Sequence, residues 1–294
     1  MNKFEAVKRM QDYIDNNIND VITMKDLSIV SFYSLWYSYQ IFQELINMTP
    51  SDYIRRLRLS KSAIELKDNF SKVIDVAYKY GYESVDGYIR AFYKEFGINP
   101  YEYAKNNVLI TLFINYKVID TSKSFNKGEK QMKEVSNVFV TVITKPQRKV
   151  IIKRGVKAKE YFEYCEEVGC DIWGILKSMK SLCGEPVCLW LPNKYIKENT
   201  SKYVQGVEVA SDYDGIIPEG FDVITLKESK YIMFQGEKFK EEDFEEAIGN
   251  LWKAIKKYDP SIIGYKFTDE SPRIQLEPIG ERGYIELLPV EEAD

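Results

Sequence analysis

With 294 residues, 45% of them hydrophobic and 29% charged, the chain is long enough for about two domains and has the composition of an ordinary folded protein, which excludes wholesale disorder. No apolar run approaches the roughly 18 residues of a membrane span and the opening MNKFEAVKRM has no apolar signal core, so the expected compartment is the cytoplasm, with no membrane partner. The net charge of −4 is uneven (neutral over 1–107, +2 over 108–135, −6 over 136–294), and the absence of histidine excludes Ser-His-Asp and Cys-His chemistry within this chain.

In chain order, the first feature is an internal repeat with an offset of 50 residues: Phe32 matches Tyr82, Ser34 matches Ser84, Phe42 matches Phe92, Pro50 matches Pro100 and Tyr53 matches Tyr103. Each copy reads as helix, turn, helix and an x-Pro-x-x-Tyr stop. In the first copy Thr23 and Asp26 form a capping-box pattern, a turn falls at Ser31–Ser34, and a helix runs from Leu35 to Ile46. Between the copies, Ile54, Leu57, Ala63 and Ile64 recur at helical spacing within Ser51–Asp68, which predicts one long linking helix. It carries a compact basic group, Arg55, Arg56, Arg58 and Lys61. In the second copy a helix spans Val73–Tyr80, Gly81 breaks it, and Ser84 caps a helix to Phe96. Ile41, Phe42, Leu45, Phe92 and Phe96 have the spacing of core residues.

Residues 108–135 are expected to be a linker, although Val108–Val118 is too apolar for a free tether and suggests a strand or helix. From about residue 137 a second repeat begins, with an offset near 80. Val150–Gly155 corresponds to Tyr231–Gly236, the helix around Trp173 to the one around Trp252, and Gly206–Val209 to Tyr284–Leu287. Each half reads strand, strand, helix, strand, strand, and such a duplicated module should assemble about a pseudo-two-fold axis with a binding cleft between halves. Cys165, Cys170, Cys183 and Cys188 form two C-x4-C pairs, but one falls in a helix-like and one in a strand-like stretch, and no Gly-rich knuckles frame them. Reduced thiols are therefore expected, with no metal and no cofactor.

The segment Ala77-x-x-x-Gly81-Tyr82-x-Ser84, with Tyr88, Arg90, Phe92, Gly97, Pro100 and Tyr103 following, resembles the signature of AraC/XylS transcription regulators over about residues 4–105. Ser38, Gln40 and Ala104 depart from the family pattern. The resemblance implies double-stranded DNA and RNA polymerase as partners. It puts Trp36, Tyr39 and Gln40 of one unit, and Val85, Asp86, Gly87 and Arg90 of the other, at groove-facing positions. Arg90 has the donors for a bidentate pair with guanine or for a phosphate, whereas inter-helix packing is the alternative for Trp36 and Tyr39.

Residues 137–291 resemble the GyrI-like effector-binding domain through Glu185-Pro186-Val187-x-Leu189-Trp190, Gly206–Val209 and Gly283-Tyr284-Ile285-Glu286-Leu287-x-Pro289. This implies a small-molecule effector, commonly a hydrophobic cation, in an aromatic cleft holding an acidic residue. Glu286 lies mid-strand with Tyr284 on the same face, and is the first candidate. Glu208 is the second, taken as its repeat mate, and Trp173, Trp190, Tyr195 and Tyr265 are candidate cage members. The expected architecture is thus an all-α domain over 1–107 with two helix-turn-helix units, a linker over 108–135, and an α+β domain over 136–294. The expected role is a DNA-binding regulator without catalytic residues. Hydrolysis by a cleft Glu and Tyr, or sequestration of a toxic compound, stand as alternatives.

Overall fold

The computed structural model describes residues 2–68, 71–106, 108–115, 117–118, 137–169, 171–240 and 243–293. It divides into two units, 1–131 and 132–294. Residues 119–136, and Cys170 of the cysteine pattern, lie outside the described residues.

The first unit is helical: α1 (Lys3–Asn16), α2 (Met24–Ser31), α3 (Leu35–Ile46), α4 (Pro50–Asp68), α5 (Val73–Lys79), α6 (Val85–Phe96) and α7 (Pro100–Lys105). The 50-residue repeat reappears in how the helices start and stop. Ser34 and Ser84 cap α3 and α6 by accepting from the backbone N–H of Tyr37 and Gly87. Asn47 and Gly97 end those helices in the left-handed region, at φ 57° and 72°. Thr23 and Asp26 make the full capping box on α2. Gly81, at φ 79°, breaks the chain between α5 and α6.

Each helix-turn-helix has its own core. Ala6, Val7, Met10, Leu27, Ile41 and Phe42 pack with Tyr53, Ile54 and Leu57 of α4. Val73, Val76, Tyr88, Phe92 and Tyr103 pack with Leu59, Ala63 and Leu66 of the same helix. The long helix therefore feeds both cores, one from each half of its length. Leu45 and Phe96, expected inside, lie half-buried at the edges of these clusters. Ser38 is buried where an apolar residue would be usual, and its hydroxyl is satisfied by Ser31 at 2.7 Å.

The linker expectation needs correction at its first part. Residues 108–115 and 117–118 are neither strand, helix nor tether, but a strap on the helical unit. Ile110 and Leu112 enter the second core, while Phe113 and Val118 pack against the first. The backbone N–H of Phe113 donates to Ser60 Oγ at 2.8 Å and that of Val118 to Gln11 Oε1 at 2.9 Å. Gln11, fully buried, also donates to the Tyr53 hydroxyl at 3.1 Å. Asn115 and Lys117 close on Asp15. The apolar content that argued against a free tether is here core material.

The second unit is one sheet with helices. Its strands are β1 (Phe139–Lys145), β2 (Arg148–Arg154), β3 (Val187–Trp190), β4 (Tyr203–Ala210), β5 (Asp222–Leu226), β6 (Ser229–Gln235), β7 (Tyr265–Phe267), β8 (Arg273–Gln275) and β9 (Ile285–Glu292). The helices are α8 (Tyr161–Val168), α9 (Asp171–Lys177) and α10 (Phe244–Ile255). The strand order is β1-β6-β9-β8-β3-β4-β2-β5, with β7 added on β9. This order is palindromic: each half contributes its last three main strands as one block, β6-β9-β8 and β3-β4-β2, and the two halves exchange their first strands, β1 and β5. Only Pro146 and Gln147 join β1 to β2, and only Lys227 and Glu228 join β5 to β6, although these strands are far apart in the order. The sheet must therefore curl back on itself.

Register fixes which residues are repeat mates. Lys153 pairs with Gln205 and Phe234 pairs with Glu286. The offset of 81 that relates β2 to β6 thus also relates Gln205 to Glu286 and Tyr203 to Tyr284. The pairing of Glu208 with Glu286 is corrected accordingly. It implied a slip of three residues, and an odd slip in a strand turns a side chain to the opposite face.

Candidate effector site and DNA-reading helices

Directly paired residues in a sheet point to the same face. Gln205, Cys188, Gln275, Glu286 and Phe234 therefore form one row across β4, β3, β8, β9 and β6. Tyr203, Trp190 and Arg273 form the next row on that face. The reverse face is apolar, with Val187, Leu189, Val204, Ile274, Ile285 and Leu287. Helices flank the polar face: α8 brings Tyr164 onto Tyr203 (ring centroids 5.4 Å apart), and α10 packs Leu251, Trp252 and Ile255 with Phe234 and Tyr284. Gly283 permits the entry to β9, since a Cβ there would stand 2.2 Å from the Gly236 carbonyl oxygen.

Glu286 is fully buried. The Tyr284 hydroxyl donates to its Oε1 at 2.5 Å, and Arg273 Nε approaches Oε2 to 3.3 Å. The Arg273 guanidinium carbon lies 3.3 Å from the centroid of Trp190 and 4.7 Å from that of Trp252. Trp190 is itself held by its ring N–H on the Lys159 carbonyl at 2.9 Å, and by Tyr203, with ring centroids 4.8 Å apart. Burial raises the Glu286 carboxyl to about 7, while the charge of Arg273 and hydrogen bonding from Tyr284 and Trp252 pull the other way. The same burial pushes the Cys188 thiol up to about 12. Among the described residues seven buried side-chain polar atoms lack a hydrogen-bond partner of good geometry. Four of them, on Tyr203, Gln205, Arg273 and Glu286, share this face. Such a cluster is costly in an ordinary core and marks a surface arranged for something further.

Of the residues expected at the effector site, Glu286, Tyr284 and Trp190 are thus brought together. Glu208 is not among them: it is buried elsewhere, with Arg148 Nε at 2.5 Å from one oxygen and Lys145 Nζ at 2.6 Å from the other. Trp173 is buried with its ring N–H toward Glu277 at 3.4 Å. Tyr195 packs against the apolar reverse face, and its hydroxyl donates to the Thr225 carbonyl. Tyr265, on β7, is stacked under Lys230 at 5.4 Å. Trp252 and Arg273 were missed, although Trp252 stood out in the sequence as the repeat mate of Trp173. Among the described residues no group of three or more His, Cys, Asp or Glu side chains could hold a metal.

In the helical unit Trp36, Tyr39 and Gln40 on α3 are exposed, Trp36 by 69%, so inter-helix packing leaves Trp36 largely free, whereas Tyr39, exposed by 37%, is mostly covered. On α6, Asp86 and Arg90 are exposed, and Val85 and Gly87 are half-buried in its first turn. The basic group of α4 is committed internally. Arg55 and Arg56 both bond Glu95 at 2.8 Å, Arg58 donates to the carbonyls of Ile18 and Asp20, and Lys61 meets Asp15 at 3.2 Å. These contacts tie α4 to α6 and to the turn after α1, and the group is a structural clamp rather than a free phosphate-binding stripe.

Comparison with known proteins agrees with both halves. A family model described as a helix-turn-helix domain matches residues 28–106, and one described as an integron-associated effector binding protein matches residues 139–279. The transposon Tn10 TetD protein of Escherichia coli is 28% identical over 103 residues, 35% of this chain and 75% of that protein. The regulatory protein SoxS of Salmonella typhimurium is 29% identical over 103 residues, covering 35% of this chain and 96% of SoxS. The transcriptional regulator Rob of the same organism is 24% identical over 107 residues, 36% of this chain and 37% of Rob. Among solved structures, the DNA-binding domain of AdpA in complex with a target DNA aligns with 34% of this chain and 91% of its own at 16% identity and TM-score 0.33. SAV2435 bound to tetraphenylphosphonium aligns with 52% and 94% at 14% identity and TM-score 0.36. The chain joins an AraC-type helix-turn-helix domain to a GyrI-like effector-binding domain. It is an AraC-family DNA-binding transcription regulator. No helix among the described residues is long and apolar enough to cross a membrane.

Proposed function

We propose that this regulator senses a lipophilic, delocalised cation on the polar face of its second unit. Glu286 supplies the counter-charge, Trp190 and Trp252 supply the aromatic walls, and Tyr284 orients the carboxylate. The observation that carries this reading is the buried Glu286 carboxylate beneath two tryptophan rings that already hold a guanidinium. A cation over an indole face gains about 0.5–2 kcal/mol per contact, most when desolvated. DNA is read by Trp36, Tyr39 and Gln40 of α3 and by Val85, Asp86, Gly87 and Arg90 of α6, and RNA polymerase is the partner through which binding acts. The expected cytoplasmic location follows from that role.

The test is binding at pH 8, where Glu286 is ionised, with crystal violet as the cation and its leuco form as the neutral analogue. Glu286→Gln should weaken the cation and leave the leuco form nearly unchanged. Equal cation affinities in wild type and variant would remove Glu286 from the site. The hydrolytic alternative has the Tyr284–Glu286 hydrogen bond in its favour. Recovery of chemically altered ligand, seen by mass spectrometry with wild type and not with Glu286→Gln, would establish it in place of sensing alone.

A further inference from the structure

We propose that Arg273 is a built-in occupant of the effector cage, which a ligand must displace, and that it thereby sets the class of cation the protein accepts. This rests on the effector-site reading above. Glu286 has no exposed surface, and Arg273, whose side chain is 29% exposed, is the cation that covers it. The guanidinium lies between the two indoles that would flank a bound cation, and its Nε faces the carboxylate oxygen that a bound cation would neutralise. Trp190 and Arg273 are direct cross-strand partners on β3 and β8, at the centre of the palindromic sheet, so this stacking is fixed by register.

The contact is also incomplete. Neither Arg273 Nε nor Glu286 Oε2 makes a hydrogen bond of good geometry. The contrast with the other buried arginine–glutamate pair of this unit is direct. Arg148 and Glu208 are both fully buried, bonded at 2.5 Å, with Lys145 on the second oxygen and Tyr231 accepting from the same guanidinium. That pair is sealed from solvent and closely bonded through Arg148, although Glu208 Oε2, like Glu286 Oε2, lacks a hydrogen bond of good geometry. In the second pair the Arg273 side chain reaches solvent, stands 3.3 Å from its carboxylate and is flanked by half-buried aromatic rings, which suits a group that leaves.

An occupant attached to the chain competes at high effective concentration. Apparent affinity is then lowered by the small fraction of molecules whose cage is open. A small ammonium such as tetramethylammonium brings too little apolar surface to repay ejecting a guanidinium that already fills the cage. A large delocalised cation gains apolar burial in addition, so it alone displaces Arg273. The device therefore excludes small amines and admits lipophilic cations.

Full-length protein would be titrated with crystal violet and with tetramethylammonium at pH 8, using wild type, Arg273→Met, Arg273→Lys and Glu286→Gln. Removing the internal cation while keeping an unbranched apolar side chain should tighten crystal violet by about tenfold or more, the equivalent of losing one desolvated cation–π contact from the competitor. It should also make tetramethylammonium binding measurable. Arg273→Lys should stay near wild type. An Arg273→Met affinity equal to or weaker than wild type, with Glu286→Gln still weakening the dye, overturns the displacement and leaves the effector site standing. An unchanged dye affinity in Glu286→Gln removes the site itself. A readout independent of the variants' folding is the nitrogen-15 spectrum of arginine-labelled wild type. The Arg273 side-chain signal should be ring-current shifted in free protein and should move toward the solvent-exposed position on saturation with dye. A signal that stays in place at saturation overturns the proposal.

Discussion

A carboxylate buried at the foot of an aromatic cage makes folding depend on pH in an unusual direction. Glu286 titrates at about 7 in the folded chain against an ordinary value of 4.5, so the folded state holds its proton more tightly than the unfolded state does. The stabilisation from that proton is fully present below 4.5 and is lost as pH rises through 7. The groups facing it are Arg273 from β8, Tyr284 from its own chain segment, Trp252 from α10 and Cys188 from β3. Glu286→Gln removes this cost. The variant's second unit should gain roughly 3 kcal/mol over wild type at pH 8 and about 1 kcal/mol or less near pH 5. Denaturant melts at the two pH values measure the difference, and a gain independent of pH would contradict the assignment. In the other unit Arg90 is the exposed base-reading candidate, free of the clamp that engages Arg55, Arg56 and Arg58. Arg90→Ala should cost about 1–3 kcal/mol on the cognate operator if it pairs with guanine. If it only meets phosphate, all sequences should weaken alike and the slope of affinity against salt should fall by about one. Competition titrations on cognate and scrambled duplexes separate the two, and unchanged binding excludes both roles.

At the scale of elements, most of the helical unit was legible because its punctuation is local. Thr23, Ser34, Ser84, Asn99 and the prolines announce helix starts within a few residues of themselves. The strap was not legible, because Ile110 and Leu112 are inside only by virtue of a core assembled from helices that no short window of sequence brings near. The sheet was legible as a duplication but not in register. Two glutamates in similar strand contexts invited the alignment of Glu208 with Glu286, whereas the ladder aligns Glu286 with Gln205. Arg273 could not be found from its neighbours in sequence. Its meaning comes from Trp190, which faces it only because the two halves meet at β3 and β8. The strap yields its own prediction. A fragment ending at residue 107 lacks Ile110, Leu112 and Phe113, whereas one ending at residue 118 keeps them. Burying a large aliphatic side chain stabilises by about 1.5–3 kcal/mol, so the shorter fragment should be less stable by roughly 3–6 kcal/mol. Comparison of their thermal melts checks this, and equal stability would mean that the strap contributes no net stability to the helical unit.

At the scale of the whole molecule, a sensor and a reader on one chain are useful only if their equilibria are linked. Linkage requires that a cation changing operator affinity by some factor have its own affinity changed by operator DNA by the same factor. Couplings of this kind are typically 1–3 kcal/mol, or about 5–150-fold. Crystal violet itself binds duplex DNA, so Glu286→Gln is the necessary reference: it leaves dye–DNA contact intact and removes the counter-charge at the proposed site. The expected outcome is a dye-dependent shift in operator affinity that wild type shows and Glu286→Gln lacks, matched by an equal shift in dye affinity when operator is present. Arg273→Met should reach the same limiting shift at lower dye concentration, because the competitor for the cage is gone while the bound state is unchanged. Equal shifts in wild type and Glu286→Gln would assign the whole effect to the dye acting on DNA. Unequal shifts in the two directions for wild type would show that a process other than two linked binding equilibria is being measured, since reciprocity is obligatory for equilibrium affinities.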